Sequence, residues 1–204
     1  MRMRSMDTSR FKTPRGTFFL FLAVLLVLIA FFMVNARSGK YKEPEELVLT
    51  EVQTVLLRDL ERNYPKTPKE VVKYYSEITE CFYNEEYTEE ELTQLAYKIR
   101  ELYDDELVQE KEESEYLEDL RSEIVGFKES GKAITGYSIS SSTDVYEFTQ
   151  DGYQFARLYC NYFLTVGSSA TQTIEEVFLL RLDEEKHWKI YGWDLAENMP
   201  EGVI

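Results

Sequence analysis

Apolar positions along this 204-residue chain follow three successive patterns. The first is unbroken: seventeen consecutive apolar residues run from Phe18 to Val34, with no charge among them and no polar face. That length approaches the roughly 20 residues that cross a bilayer's hydrocarbon core, whereas a helix buried in a soluble domain keeps a polar side. A retained membrane anchor is the expectation. Secretory signals have a shorter apolar region of about 7 to 15 residues, but Val34-Asn35-Ala36 imitates a cleavage site, so removal after Ala36 stays as the rival reading.

The second pattern is helical. In ELVLTEVQTVLLRDLERNY the apolar residues Leu49, Val52, Leu56 and Leu60 recur at helical spacing, until Pro65 and Pro68 interrupt. In TPKEVVKYYSEITECF, Thr67 suits an N-cap, Pro68 the first helical position and Glu70 the far end of a capping box, with Val71, Tyr75, Ile78 and Phe82 on one face. A second box, Thr88 with Glu91, opens a helix whose Leu92, Leu95, Ala96, Ile99, Leu102 and Tyr103 point one way. A third amphipathic helix, near residues 114–128, aligns Leu117, Leu120, Ile124 and Phe127, and Gly131 follows its end.

From Lys132 the period becomes two. AITGYSI, DVYEFT, YQFARLYCNYFLTV, TIEEVFLLRL and HWKIYGWDL read as strands separated by short turn compositions, which predicts antiparallel neighbours. The longest strand divides into an apolar face, Ala156, Leu158, Cys160, Tyr162, Leu164 and Val166, and an aromatic and polar face carrying Tyr153, Phe155, Arg157, Tyr159, Asn161 and Phe163. Helices followed by a meander predict an α+β domain, with three to four helices packed on one side of a curved antiparallel sheet. Long strands wrapping a helical pair resemble the cone-shaped NTF2-like fold.

Charge orients this arrangement. Arg2, Arg4, Arg10, Lys12 and Arg15 precede the apolar run and Arg37, Lys40 and Lys42 follow it, so the N-terminus is expected in the cytoplasm and the rest outside the cell membrane. The resulting division is a basic tail at 1–15, a transmembrane helix at 16–36, a tether and amphipathic helix at 37–63, the α+β domain at 64–197 and a tail at 198–204. The first fifteen residues carry a net +4, which leaves −19 for the remainder of a chain whose total is −15. A body that acidic repels phosphate backbones, so nucleic acid is not an expected partner. The acidic runs lack the alternation and turn glycine of a calcium-binding loop and read as solvated helix faces.

Little in the sequence points to catalysis. His187 is the only histidine, which excludes multi-histidine metal centres, and no nucleophile-elbow or phosphate-cradling motif is present. Cys81 and Cys160 fall on or beside apolar faces, where a free thiol acts as a small hydrophobe; two cysteines do not make a disulfide framework. No metal and no cofactor is expected. A cone-shaped pocket can pair a desolvated carboxylate with a tyrosine donor, and Asp144, Tyr146, Tyr159 and Asp194 are the pocket candidates. Tyr74, Tyr75, Tyr83 and Tyr97, with Trp188, Tyr191 and Trp193, are numerous enough to form an aromatic cage, although such rings more often pack a core. Tyr153, Phe155, Arg157, Tyr159 and Phe163 are the interface candidates, because alternation projects them from one face of a strand.

LLRDLERNYPKTPKEVVKYYSEI, FYNEEYTEEEL and HWKIYGWDL together resemble an uncharacterised family of single-span, membrane-anchored proteins of Gram-positive bacteria with an NTF2-like exported domain. The resemblance runs from Leu47 to Asp194 and implies anchor and fold, with no catalytic residues to carry over. The functional expectation is a non-catalytic, membrane-anchored binding or scaffold domain that engages an unknown protein or a second copy of itself. Two alternatives stay open: a small-molecule-binding or isomerase-like pocket, and a bitopic component of an export or conjugation assembly.

Overall fold

A computed structural model describes Met33 and residues 49–167 and 170–198. The expected membrane span at 18–34 and the basic tail before it lie outside the described residues, Met33 apart. Among the described residues no helix is long and apolar enough to cross a membrane.

The first helix, α1 (Glu51–Leu56), is shorter than the apolar spacing predicts. Its start is fixed by a capping box absent from the sequence reading: the Gln53 N–H donates to Thr50 Oγ1 at 3.1 Å and the Thr50 N–H to Gln53 Oε1 at 3.3 Å. Its continuation is stopped by Asp59, whose carboxylate accepts the Arg62 N–H at 3.1 Å and offers the backbone a turn instead of another helical bond. Leu60 is nevertheless buried, and with Val52 and Val55 it joins the core of the helices that follow.

Helix α2 (Pro68–Asn84) begins at the predicted cap, with the Glu70 N–H on Thr67 Oγ1 at 3.2 Å. The box is not closed, because the Glu70 carboxylate reaches one residue further and takes the Lys66 N–H at 2.8 Å. Helix α3 (Glu89–Arg100) has its full box between Thr88 and Glu91. It ends before Leu102 and Tyr103, which were expected on its apolar face; both are buried all the same. A short α4 (Asp105–Gln109) and a long α5 (Glu113–Glu129) complete the helices, and Gly131 supplies the left-handed turn after α5 with φ of 65°.

Five strands follow: β1 (Lys132–Ile139), β2 (Tyr146–Gln150), β3 (Tyr153–Val166), β4 (Ala170–Leu182) and β5 (Trp188–Leu195). They form one antiparallel sheet in the order β1-β3-β4-β5, and β2 also pairs with β3. The length of β3 allows this: β1 runs along Cys160 to Val166 and β2 along Tyr153 to Arg157. Bulges between Ile134 and Gly136 in β1 and opposite Leu179 and Leu180 in the β4-β5 ladder bend the sheet, as an extra residue on one strand does. Gly136 takes φ of 150° at the first of them, a value that suits glycine.

The β1 and β5 edges are each tied to the helical layer at one residue. Asn84 closes the backbone of Ile134 on β1, donating from Nδ2 to its carbonyl at 2.7 Å and accepting its N–H at 3.1 Å. On β5, Ile190 exchanges backbone bonds with Leu102 and Asp104, each 2.8 Å, so the segment after α3 acts as a one-residue sixth strand. The concave face of the sheet buries Leu158, Cys160, Tyr162, Leu164, Phe178, Leu180 and Ile190 against Val71, Val72, Tyr75, Ile78 and Phe82 of α2 and Leu92, Leu95, Ala96 and Ile99 of α3. The described fold is thus α+β, helices on a curved five-stranded antiparallel sheet. Cys81 and Cys160 are free and buried in its core.

Candidate functional site

Helical spacing puts Tyr75, Thr79, Phe82 and Tyr83 on one side of α2, and Tyr116, Leu120, Glu123 and Phe127 on one side of α5. These two faces, the segment from Ile99 to Val108 and the concave sheet enclose a cavity of about 490 Å³. The sheet contributes Ile134, Tyr162, Leu164, Ile174, Glu176 and Trp193.

Glu176 is the unusual member. The period of two along β4 aligns it with Ile174, Phe178 and Leu180 on the concave face, and its cross-strand neighbour is Cys160. Burial pushes its carboxyl up to about 7 from an ordinary value of 4.5, and the Glu123 carboxylate across the cavity adds to the shift. No hydrogen bond from the described residues reaches it. The hydroxyl of Tyr75, whose acidity burial suppresses strongly, also has no partner among them.

Three other lining hydroxyls are engaged: Tyr83 donates to Glu123 Oε1 at 2.5 Å, Tyr162 shares a 2.7 Å bond with Ser76 Oγ, and Thr79 donates from Oγ1 to the Tyr75 carbonyl at 2.9 Å. The cations are engaged too: Arg100 donates to the Val108 carbonyl at 3.0 Å and lies over the Tyr116 ring, while Lys111 pairs with Asp119. The cavity therefore presents aromatic walls and, from the sheet and α2, a carboxyl and a phenol with no hydrogen-bond partner among the described residues, Glu176 and Tyr75. Among the described residues no group of His, Cys, Asp or Glu is arranged to hold a metal ion.

None of the four pocket candidates lines this cavity. Asp144 is exposed in a 3-10 turn, Tyr146 opens β2 and is 52 % exposed, and Tyr159 is half-buried on the opposite face of β3. Asp194 is exposed near the end of β5, where its carboxylate accepts the Leu195 N–H and Asn198 Nδ2, both at 2.7 Å. The physical reason is strand parity: these side chains alternate away from the concave side or stand at element ends. Of the proposed cage, Tyr75, Tyr83 and Trp193 do line the cavity; Tyr74, Tyr97, Trp188 and Tyr191 do not. Alternation in TIEEVFLLRL puts Glu176 in phase with Ile174, Phe178 and Leu180, and this is the signal in the sequence that marks it.

The five interface candidates occupy the convex face. There Phe155 stacks on Phe148 and meets Tyr191 edge-on, with ring centres 5.5 Å and 5.7 Å away. Arg157 is buried and lies over the Tyr146 ring, and Arg181 lies over Tyr153 and Tyr191. Arg181 also binds Asp104 through Nε at 2.8 Å and Glu106 through Nη1 at 2.7 Å, fastening α4 to the sheet. Asp104 is buried, in contrast to the solvated face that its acidic run predicts, because Arg181 neutralises it. Tyr153 and Phe163 stay 52 % and 41 % exposed, and Tyr159 is half-buried.

No curated protein sequence matches the chain. A family model described as a domain of unknown function, DUF6715, matches residues 3–193, and the protein belongs to that family.

Proposed function

We propose that this is an NTF2-like domain that binds a small, largely apolar molecule in its cone cavity, held at the cell membrane by residues 18–34 with the domain on the outer side. The observation that carries the binding reading is the 490 Å³ space between α2, α5 and the sheet, walled by aromatic rings and containing a carboxyl with no protein partner among the described residues. Cavities that bind small molecules combine these features: mostly apolar walls and a few polar groups that fix orientation. A packed core would fill the volume or pair the carboxyl. The role we propose is binding rather than turnover, with the Thr79, Tyr83 and Tyr162 hydroxyls committed to protein partners.

A fragment screen by ligand-observed NMR on the full-length protein tests this. Fragments that bind should be lost when Ile174→Trp fills the cavity. Hits that ignore this substitution, or no hits at all, would set the reading aside. A second reading is association of the convex face with a protein partner, supported by the exposure of Tyr146, Tyr153 and Phe163 on that side. Its check is whether Phe155→Ser with Phe163→Ser dissociates a complex recovered in mild detergent.

A further inference from the structure

Resting on the cavity-binding reading, we infer that the occupant is an organic cation, an ammonium group carried on an apolar or aromatic skeleton. Charge complementarity is the first argument. Four carboxylates line the space, Glu110, Asp119, Glu123 and Glu176, against two cations, Arg100 and Lys111. Both cations are already used, Arg100 by the Val108 carbonyl and the Tyr116 ring, Lys111 by Asp119. Glu123 holds only the neutral Tyr83 hydroxyl, and neither Glu110 at the rim nor Glu176 on the sheet has a cationic partner among the described residues; of these Glu176 is the one that burial disfavours as an anion. A partly desolvated carboxylate is costly to ionise until a positive group joins it.

The second argument is the wall itself. Tyr75, Tyr103, Tyr162 and Trp193 come from α2, the segment after α3, β3 and β5, so rings from four parts of the fold line the cavity that Glu176 enters. The Tyr75 ring meets Trp193 at 5.5 Å and Tyr103 at 6.4 Å between centres, and Tyr103 meets Trp193 at 5.5 Å. Aromatic faces attract ammonium ions through the ring quadrupole, more strongly when water is excluded. An anionic occupant would meet Glu176 and Glu123 together. A neutral one would leave the desolvated carboxyl as it is. A cation satisfies both the carboxyl and the rings, and the open Tyr75 hydroxyl offers a further contact for a polar atom on its skeleton.

The test uses three probes on one skeleton, 3-phenylpropylamine, 3-phenylpropan-1-ol and 3-phenylpropanoate, titrated calorimetrically into the full-length protein in mild detergent with detergent alone as reference. The amine should bind at least tenfold more tightly than the alcohol, and the carboxylate should not bind. Glu176→Gln, which preserves shape, should bring the amine down to the level of the alcohol. Raising the pH from 5 to 8 should strengthen amine binding in the native protein and leave the variant flat. Across the cavity Glu176 faces Glu123 and Asp119 of α5, Arg100 of α3, Glu110 and Lys111 ahead of α5, and the lining tyrosines; the variant isolates its share from theirs. Equal binding of amine and alcohol, with both lost in Ile174→Trp, would overturn the cation while leaving the cavity reading intact. Preference for the carboxylate would also overturn it. Failure of all three probes removes both readings.

Discussion

Glu176 stands where the period of β4 and the chemistry of its side chain disagree. Ile174, Phe178 and Leu180 share its face, so the strand carries a carboxyl into an apolar space, and burial raises its proton affinity before any ligand arrives. Below about pH 4.5 the carboxyl is protonated in folded and unfolded chains alike and the site costs nothing. Between there and about 7 the unfolded chain loses the proton first, so stability falls as pH rises; above 7 the whole penalty is present. Glu176→Gln removes it. The variant should match the native protein at pH 4 and exceed it at pH 8 by on the order of 2 to 3 kcal/mol, measured by denaturant unfolding. Equal offsets at both values would mean the carboxyl is not desolvated. Residue parity was legible in the sequence; the facing Glu123, 53 positions earlier on α5, was not, because only the packing of α5 over the sheet brings the two together.

Elements with local signals were the easiest to read. Thr67 and Thr88 each cap a helix through a backbone N–H at 3.2 Å, and turn compositions separated all five strands close to their observed limits. Replacing either threonine by alanine should cost about 0.5 to 2 kcal/mol, read from the same unfolding curves. The larger loss is expected at Thr88, whose box with Glu91 satisfies two N–H groups, whereas Glu70 turns to Lys66. Equal losses, or none, would count against that difference. Elements defined by distant partners escaped: α4 is five residues long and has no buried residues, and it holds its place through Asp104 and Glu106 on Arg181, 77 and 75 positions away. Periodicity carries no trace of such a bond. The overlong α1 shows the opposite failure, where spacing continues through Leu60 but the Asp59 side chain diverts the backbone.

For the whole molecule, the proposed arrangement joins an acidic ligand-binding domain to a basic, membrane-inserted N-terminus. The physical basis is the sequence at 1–42: an uncharged apolar run long enough to span, five basic residues before it and three after. Lysine and arginine resist translocation near a span, while the acids of the domain contribute little to orientation, so the proposed arrangement keeps the short amino-terminal tail inside. Location also bears on ligand supply, since a domain outside the membrane meets only molecules that reach that side, and its negative charge would draw cations toward the cavity. Fractionation of cells that make the full-length protein should leave its intact mass in the membrane pellet after an alkaline wash. Protease added to cells stripped of their wall should then remove the domain without lysis. A soluble product beginning at Arg37 would mean that the apolar run is cut away as a signal. Protection until lysis would reverse the orientation, placing the cavity on the cytoplasmic side and its ligand among molecules of the cell interior.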